Sequence, residues 1–543
     1  MRFGIALDLG TSGFRAQAID LDVKKVVSTA ITLRHPLPGS NIMDHLSFAI
    51  EYGQDLAHAI VTDAVEKLLE KLDIELKDVE RIAISGNPTQ LSVFQGIEVR
   101  DLAWAGERAL HSRGIVPPAR DATIKKSGDV GLRNISPYTD VFIPPCIKHE
   151  LGADAVAMMV KSGFLDEKLA MVTDYGTNAE MALKVDDMIL TGSAAAGPAI
   201  EGQHIDKGML ASPGAISDLS YSFTGWKNIV LDEDMYARPG DVVDISTGKI
   251  IDRGEMHGRA RGITGTGVIA AIAVGMVRGI VKNSKIQTYD KKIHLQDGIY
   301  LIEKDIEEAG KALGAFRAGF LTLVEEAGIK FSDLKTMYMA GASGFYVDPL
   351  KARISGEIPP ASEKIYQVGN TSLSLAVDLV MRPDYLDDLQ DFVDDLRSNH
   401  VMFATSDIFQ NVYTLELAVW TEGMSLERYN IFLKKYGIDQ EITGSLKSPN
   451  VIKVVPRDIK DIGEKGLRVV PDVGTIIEID VTGCKNCKKC VQACPENAIL
   501  SVDENKTKIS SSMCLGTACR RCVLACPEKV LKFENARVLG IER

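Results

Sequence analysis

The feature that most constrains this 543-residue chain is a group of closely spaced cysteines near its C-terminus. Nine cysteines occur in all, and eight of them fall in two runs of similar spacing, Cys484-x2-Cys487-x2-Cys490-x3-Cys494-Pro495 and Cys514-x4-Cys519-x2-Cys522-x3-Cys526-Pro527. In a cytoplasmic chain, which we expect this to be, thiols spaced this closely are more often metal ligands than disulfide partners. The repeated pattern therefore predicts a small metal-binding domain built from two similar halves.

The spacing also indicates which metal group this domain binds. Structural zinc sites, which are the alternative, typically use separated pairs of thiolates, whereas three thiolates at x2 intervals followed by Cys-Pro are typical of a [4Fe–4S] cubane. In such a domain the last cysteine of each run reaches the other cluster. We predict one cluster on Cys484, Cys487, Cys490 and Cys526 and a second on Cys494, Cys514, Cys519 and Cys522.

Residues 475–543 accordingly resemble the bacterial two-cluster ferredoxins. One departure from the usual pattern is the interval between Cys514 and Cys519, where four residues stand in place of the common two. This longer loop leaves the prediction of a second cluster in place, while its effect on the potential of that cluster stays open.

Charge and hydropathy exclude several kinds of partner. The net charge is −12, and residues 480–543 contain 11 Lys+Arg and 7 Asp+Glu, so the tail carries +4 and the rest of the chain −16. A body this acidic argues against nucleic-acid binding, which requires basic residues against phosphates. The apolar run Gly267–Val277 is too short to span a bilayer. We expect a cytoplasmic protein that binds neither nucleic acid nor membrane.

Two glycine-rich hairpins point to phosphate binding. Residues 3–20 form an apolar strand, a tight turn and a second alternating strand, and the turn region is Asp8-Leu9-Gly10-Thr11-Ser12. Residues 169–185 repeat the pattern, with Asp174, Gly176, Thr177 and Asn178 in the matching places. Backbone N–H groups and small hydroxyls in such turns cradle phosphate, and a carboxylate at the strand end can hold Mg²⁺ or orient water. Two such hairpins at domain-scale separation predict two similar subdomains.

A third element, a strand followed by a loop of small residues, comes after the two hairpins in the sequence. Residues 337–345 form an apolar strand that ends in Gly341-Ala342-Ser343-Gly344, where small side chains allow a base and ribose to approach the backbone. The three elements resemble the acetate kinase, sugar kinase, Hsp70 and actin superfamily of ATPases over residues 1–400. The resemblance implies MgATP between the two hairpins, adenosine against Gly341–Gly344, and catalytic roles for Asp8, Asp174 and Glu180. Neither a Walker loop nor a Gly-x-Ser-x-Gly nucleophile motif occurs.

These observations predict an α/β chain of four parts. Residues 1–168 form the first ATPase subdomain and residues 169–400 the second. Residues 401–474 form a helical segment and connector, and residues 475–543 form a small α+β domain similar to two-cluster ferredoxins. The predicted cofactors are two [4Fe–4S] clusters and ATP with magnesium.

Several long motifs make the whole chain resemble the reductive activases of corrinoid proteins, in particular the archaeal type that serves methylamine methyltransferases. They are Asp-Leu-Gly-Thr-Ser at residue 8, the segment 172–183, Ala-Ala-Ala-Gly-Pro-Ala-Ile-Glu-Gly at 194–202, Gly-Ile-Thr-Gly-Thr-Gly at 262–267 and Gly-Asn-Thr-Ser-Leu at 369–373. The resemblance implies an oxidoreductase that uses ATP to reduce a corrinoid protein from Co(II) to Co(I), in C1 metabolism of the methanogenic type. Because no Asp-x-His-x-x-Gly motif occurs, we expect the corrinoid on a partner protein. A low-potential donor such as a ferredoxin is the implied electron source.

Two other classes use the same ATPase fold. A small-molecule kinase would direct a phosphoryl group to a substrate hydroxyl, but it has no use for iron–sulfur clusters. A nucleotide-gated scaffold would bind ATP without redox turnover, so its activity would survive loss of Cys490 or Cys522. The clusters therefore favour the ATP-dependent reductase over both alternatives.

Overall fold

A computed structural model describes residues 1–39, 41–104, 107–176, 178–195, 205–442, 448–494, 496–516 and 519–539. Most of the Ala-Ala-Ala-Gly-Pro-Ala-Ile-Glu-Gly motif therefore lies outside the described residues, as does Thr177. Among the described helices, none combines the length and apolar composition needed to cross a lipid bilayer.

The secondary structure alternates strands and helices along most of the chain. The described strands are β1 Phe3–Leu9, β2 Phe14–Asp20, β3 Lys25–Thr32, β4 Val79–Gly86, β5 Thr123–Lys126, β6 Asp140–Ile143, β7 Leu169–Tyr175, β8 Asn178–Val185, β9 Met188–Ala195, β10 Ala215–Tyr221, β11 Trp226–Leu231, β12 Ala237–Val243, β13 Ile250–Asp252, β14 Gly262–Ile263, β15 Val281–Lys282, β16 Lys285–Ile286, β17 Lys292–His294, β18 Tyr300–Ile302, β19 Thr336–Ala340, β20 Lys364–Gly369, β21 Asn450–Lys453, β22 Leu467–Val470, β23 Ile476–Asp480, β24 Ile499–Val502, β25 Lys506–Ser510 and β26 Ala536–Leu539. The described α-helices are α1 Ile42–Tyr52, α2 Gln54–Leu69, α3 Pro88–Gln95, α4 Glu107–Ser112, α5 Ala153–Lys161, α6 Gly265–Val277, α7 Glu303–Glu326, α8 Gly341–Tyr346, α9 Pro349–Ser355, α10 Thr371–Met381, α11 Tyr385–Leu396, α12 Asp407–Glu422, α13 Leu426–Lys435, α14 Lys489–Ala493 and α15 Arg521–Ala525.

The chain divides into two compact units. Unit 1 contains Met1–Ala157, Ser372–Arg397 and the described residues from Asp461 onwards, and unit 2 contains the described residues of Met158–Thr371 and Ser398–Lys460. The cysteine-rich tail thus belongs to the same unit as the first predicted phosphate hairpin.

Unit 1 is built on a sheet of seven described strands in the order β22-β3-β2-β1-β4-β6-β5. Strand β1 is apolar except at Asp8 and is buried along its whole length, as expected for a central strand covered on both faces. It pairs antiparallel with β2 and parallel with β4. Helix α2 turns an apolar face with helical periodicity towards this core. The carboxyl ends of β1 and β4 therefore lie side by side.

The cysteine-rich tail forms a separate layer of unit 1, a sheet of four described strands in the order β24-β25-β23-β26. Its apolar residues, such as Ile477 and Leu531, belong to the same hydrophobic cluster as Ile5 and Leu37 near the main sheet. Ser511 Oγ donates to the Pro36 carbonyl at 2.6 Å. The tail is therefore packed firmly against the rest of unit 1.

Unit 2 contains a sheet of six described strands in the order β21-β20-β19-β7-β8-β9 and a smaller one in the order β13-β12-β11-β10-β14. Strands β7, β8 and β9 form an antiparallel meander, and β19 lies parallel to β7 on its other side. Helix α7 spans Glu303–Glu326 and buries Phe316 and Phe320, which follow the apolar periodicity of a core-facing helix.

The described part of the predicted connector contains two strands that its composition did not indicate. Strand β21 pairs parallel with β20 in unit 2, and β22 pairs parallel with β3 in unit 1. Each of these edge strands is only four residues long, so the surrounding Gly, Pro and charged residues dominate the local composition and no strand pattern is recognisable.

Candidate functional site

The first predicted phosphate loop is a tight turn between β1 and β2. In the antiparallel register Asp8 faces Arg15 and Leu9 faces Phe14, so Gly10, Thr11 and Ser12 lie in the turn. Thr11 is buried and Ser12 is exposed. The hairpin is held at its base by the backbone N–H of Phe14, which donates to Thr32 Oγ1 at 2.8 Å.

The carboxylate of this loop has a cationic neighbour across the hairpin. Arg15 Nη1 lies 3.2 Å from Asp8 Oδ2, and the Asp8 side chain is only 6% exposed. An ideal Cβ on Gly10 would lie 2.9 Å from the Gly13 carbonyl oxygen, so the turn has no room for a side chain there. The first loop is therefore a compact turn whose acidic residue forms an ion pair with Arg15.

Two further polar residues reach this loop from other elements, and neither was predicted. Asn87, the N-cap of α3, donates through Nδ2 to Thr11 Oγ1 at 3.0 Å. Asp154 lies in the first turn of α5 and interacts with the Asp8 carboxylate. Burial, together with the charge of Asp8, raises the pKa of Asp154 to about 7. No motif marks either residue, because each is brought to the turn only when β1, α3 and α5 pack together.

The second predicted loop joins β7 and β8 in unit 2. Here Asp174 faces Glu180 directly across the antiparallel pair, and Tyr175 faces Ala179. Opposed residues on one face of such a pair have Cβ atoms about 4.5–5.5 Å apart. An ideal Cβ on Gly176 would lie 3.3 Å from Asp174 Oδ1 and 4.0 Å from Glu180 Oε2. Two carboxylates thus reach the same turn, which is the donor set that Mg²⁺ favours.

The predicted adenosine loop is next to this carboxylate pair. Strand β19 lies parallel to β7 with Ala340 opposite Asp174, and Gly341 begins α8 with φ +81°. An ideal Cβ on Gly341 would lie 2.6 Å from Asp174 Oδ1. Ser343 is exposed and Gly344 is buried. The structure therefore brings together Asp174, Gly176, Asn178, Glu180, Gly341, Ala342, Ser343 and Gly344 at one end of the unit 2 sheet.

The first predicted cysteine group converges on one cavity in the tail. Its four members line that cavity together with apolar side chains such as Val481 and Leu531; they are Cys484, Cys487, Cys490 and Cys526. Burial raises the pKa of Cys526, but backbone hydrogen bonds outweigh this and lower it overall; they come from Leu531, Val530, Glu528 and Lys529. Such bonds stabilise a thiolate and are typical of iron–sulfur sites.

The second predicted group is also brought together. Burial, together with the charges of Cys522, Cys494 and Cys519, raises the pKa of Cys514 to about 12. Burial likewise raises the pKa of Cys522 to about 11, with Cys494 and Cys519 among its neighbours. These four thiols are therefore close in space. Because thiols packed together resist ionisation, a bound metal group would supply the positive charge that holds them as thiolates.

The two groups are related by an approximate repeat. Lys488 and Arg520 both adopt the left-handed conformation, with φ of 59° and 47°, immediately before α14 and α15. Cys490 and Cys522 follow at the second position of each helix. In both groups, three cysteines from one run join one from the other, as the spacing predicted. The residues present therefore fit two cubane clusters.

Comparisons with known proteins agree with this arrangement. Residues 3–167 match the RACo middle region, residues 168–430 match the C-terminal domain of RACo, the ASKHA domain, and residues 476–527 match a 4Fe-4S dicluster domain. These matches confirm the predicted fold class, an ATPase of the acetate kinase, sugar kinase, Hsp70 and actin type joined to a ferredoxin-like domain.

Individual relatives have related names. The chain is 46% identical over 520 residues to the "[Co(II) methylated amine-specific corrinoid protein] reductase" of Methanosarcina barkeri, covering 95% of this chain and 96% of that protein. It is 26% identical over 393 residues to "Corrinoid activation enzyme RamQ" of Eubacterium limosum, covering 66% of this chain and 60% of the relative. A solved "Reductive activator for corrinoid,iron-sulfur protein" superposes with a TM-score of 0.59 at 21% identity, covering 77% of this chain and 66% of that one.

Proposed function

Since the chain belongs to the family of corrinoid protein reductive activators, we propose that it is an oxidoreductase that uses ATP to reduce a corrinoid protein from Co(II) to Co(I). The reaction adds one electron to cobalt and forms the nucleophile that accepts a methyl group. The high identity to the methylated amine-specific reductase favours a partner that serves methyl transfer from methylamines or similar donors.

The observation that carries this proposal is the combination of two phosphate-type hairpins and two groups of four thiols in one chain of this family. A kinase needs the hairpins alone, and a ferredoxin needs the thiols alone. One hairpin and both thiol groups lie in unit 1, so the first predicted phosphate loop and the groups proposed for electron transfer share one compact body.

We infer that each hairpin turn has groups suited to nucleotide phosphates or to their magnesium ion. Backbone N–H groups and the hydroxyls of Thr11 and Ser12 would donate to phosphate oxygens at the first turn. Asp174 and Glu180 would hold Mg²⁺ at the second, where the ion would neutralise charge on the transferring phosphoryl group. Asp154, with a pKa of about 7, is suited to take the proton of the attacking water.

The thiol groups would hold two [4Fe–4S] clusters, which supply one-electron carriers when bound. A tenfold change in a one-electron equilibrium corresponds to about 59 mV, or ~1.4 kcal/mol. A nucleotide-dependent change in docking worth ~4 kcal/mol would therefore offset roughly 170 mV of an unfavourable potential difference. Nucleotide binding and hydrolysis can supply this free energy by changing how the two proteins dock, without raising the energy of the electron itself.

The surface around the cysteine loops favours an acidic electron donor such as a low-potential ferredoxin. Five basic side chains on these loops are exposed; they are Lys485, Lys488, Lys489, Arg520 and Arg521. Positive charge of this kind steers a negatively charged partner towards the clusters.

The test is anaerobic visible spectroscopy of a Co(II) corrinoid protein mixed with this protein and a strong chemical reductant, with and without MgATP. We expect Co(I) only when both the protein and ATP are present. Asp174→Asn should abolish the reaction, while Asp187→Asn, an exposed residue at the other end of the same hairpin, should leave it unchanged.

The thiol groups are tested in the same assay. Cys490→Ser and Cys522→Ser should each remove reduction, whereas Cys146→Ala, which alters the buried ninth cysteine, should not. Phosphoryl transfer to a small hydroxyl compound without cobalt reduction would favour a kinase instead. Activity that survives both cysteine changes would favour a nucleotide-gated scaffold.

A further inference from the structure

A chain of buried polar side chains runs through unit 1 from the first phosphate loop, and the proposed reaction does not use it. It begins at Thr11, whose Oγ1 accepts from Asn87 Nδ2. The other side-chain atom of Asn87, Oδ1, accepts from the backbone N–H of Gln90 at 3.0 Å. Helix α3 is thereby tied to the phosphate loop at its first turn.

Gln90 continues the chain in two directions. Its Nε2 lies 2.8 Å from His45 Nδ1, and its Oε1 lies 2.8 Å from His35 Nε2. The two imidazole rings stack, with centroids 3.9 Å apart and an interplanar angle of 21°. Gln90 and His45 are completely buried and His35 is 3% exposed. The amide therefore bridges two stacked rings inside the core.

The direction of every hydrogen bond in this group is determined. Leu37 N–H donates to His35 Nδ1 at 3.1 Å, so the His35 proton is on Nε2 and is donated to Gln90 Oε1. Gln90 Nε2 then donates to His45 Nδ1. Burial lowers the pKa of His45 to about 3 and that of His35 well below its ordinary value, so both rings are neutral.

The far end of the chain is the backbone that holds the second cysteine group. The Gly39 N–H donates to the Cys514 carbonyl at 2.8 Å, and Ser511 Oγ donates to the Pro36 carbonyl. An ideal Cβ on Gly516 would lie 3.4 Å from Gly39 Cα, so the cysteine loop and this segment are in close contact. Residues 36–39 thus lie between the two histidines and Cys514.

Polar groups at such a depth destabilise a fold unless their hydrogen bonds are satisfied, and apolar residues of similar volume would pack there more simply. Because both rings are neutral and each hydrogen bond has a fixed donor and acceptor, this group can pass on a displacement of its atoms but not a change of charge. A shift of Thr11 or Asn87 would move Gln90, and Gln90 contacts both rings that support residues 36–39.

We propose that Asn87, Gln90, His45 and His35 are positioning residues that couple nucleotide occupancy of the first phosphate loop to the backbone around Cys514. The inference rests on the proposed function, because it requires a nucleotide at Thr11 and a cluster on the second cysteine group. Nucleotide binding then changes the environment of that cluster specifically. Among the described residues, those that line the cavity of the first cysteine group all belong to the tail, from Val481 to Leu531, so the first cluster serves as an internal reference.

The variant that tests the coupling is Gln90→Leu, which keeps the side-chain volume and removes both amide hydrogen bonds. Gln95→Leu is the matched control, because Gln95 is on the same helix and its amide only donates to the Leu91 carbonyl. His45→Phe is a second test that keeps the ring stack but removes the acceptor for Gln90.

The first readout is an EPR-monitored redox titration of the holoprotein with and without a non-hydrolysable MgATP analogue. Signals are assigned with Cys490→Ser for the first group and Cys522→Ser for the second. We expect the analogue to shift the midpoint potential of the second cluster and not of the first. This shift should be lost in Gln90→Leu and His45→Phe and retained in Gln95→Leu.

The second readout is amide hydrogen exchange, which does not depend on the potentials. The analogue should slow exchange at Leu37 and Gly39 in the natural protein and in Gln95→Leu, and this protection should be lost in Gln90→Leu. Analogue affinity, measured by calorimetry, should change less than about threefold in Gln90→Leu, since a positioning residue does not touch the nucleotide.

The outcomes separate this inference from the proposed function. Analogue binding with both clusters present but no selective shift, or a full shift in Gln90→Leu and His45→Phe, would overturn the coupling while leaving the reductase intact. A protein that binds no nucleotide would overturn both. If Gln90→Leu does not fold, His45→Phe decides the question by the same two readouts.

Discussion

The two phosphate-type hairpins have the same pattern but opposite charge arrangements. In unit 1, Asp8 faces Arg15 across the strands, and the ion pair is largely buried. In unit 2, Asp174 faces Glu180, so two carboxylates are opposed across the same kind of turn. A duplicated backbone therefore carries an acid–base pair in one half and a pair of acids in the other.

This difference predicts that the two hairpins have different roles in nucleotide binding. Two carboxylates at one turn are an oxygen donor set of the kind that Mg²⁺ favours, so we expect the metal ion at the second hairpin. In the first hairpin Arg15 already balances Asp8, which leaves the backbone N–H groups and hydroxyls of the turn to bind phosphate. Its second carboxylate, Asp154, comes from a helix instead of the opposing strand.

The sharpest test of this comparison is metal binding. We expect Asp174→Asn to weaken Mn²⁺ binding in the presence of ATP by about 100-fold and ATP hydrolysis by about 10²–10³-fold, the range for loss of one preorganised electrostatic group. Asp8→Asn should weaken Mn²⁺ binding less than about tenfold, since Asp8 has Arg15 beside it. Mn²⁺ EPR measures both, and the reverse ranking would break the comparison.

The next effect concerns pH. Because the pKa of Asp154 is raised to about 7, its basic form is populated only as pH rises through 7, so ATP hydrolysis should increase between pH 6 and 8. Asp154→Asn should flatten this profile and slow hydrolysis at pH 8 by about 10²-fold, the lower range for a general base.

Glu150 provides a close control for this profile. Burial alone raises its pKa to about 7, and Asp8 does not contribute. Glu150→Gln should therefore keep the natural pH dependence. If Glu150→Gln changed the pH profile and Asp154→Asn did not, the titrating group would be Glu150. Asp154 would then have no role at the first site.

A smaller effect is expected from crowding the second site. A Cβ at Gly341 would lie 2.6 Å from Asp174 Oδ1, so Gly341→Ala should displace that carboxylate and slow ATP hydrolysis by about tenfold or more. Gly328→Ala introduces the same left-handed strain, with φ +67° and no atom within 4 Å of the added Cβ. It should reduce stability by about 1–2 kcal/mol and leave the rate unchanged. Equal rates in the two variants would contradict the placement of Gly341 beside the metal site.

The smallest effect is on stability. Arg15→Met keeps the aliphatic packing but leaves the Asp8 carboxylate without its cation, and we expect a loss of about 2 kcal/mol, below the range for fully buried pairs because Arg15 is 18% exposed. Urea denaturation measures this. Adding Asp8→Asn should restore part of the loss, since the uncompensated charge is then removed; no recovery would show that Arg15 acts through packing alone.

The sequence predicted the parts whose residues are neighbours along the chain. Each cysteine run, each Asp-x-Gly-Thr turn and the Gly-Ala-Ser-Gly segment is a short stretch of neighbouring residues, and local geometry follows from such patterns without long-range contacts. The motifs also indicated the family, which the 46% identical relative confirms. The roles of Asp8, Asp174, Glu180 and the eight cysteines stay predictions until the experiments above are done.

Tertiary structure alone decided which distant residues join these parts. Asn87 is 76 positions from Thr11, Gln90 is 45 from His45, and Ser511 is 475 from Pro36. The sequence around an Asn, Gln or His does not predict its hydrogen-bond partner, because in the folded core each side chain bonds to whichever polar groups pack beside it. The sequence by itself therefore predicted the cluster ligands and the phosphate turns, whereas packing decided that one buried group of polar side chains joins the first predicted phosphate loop to the backbone near Cys514.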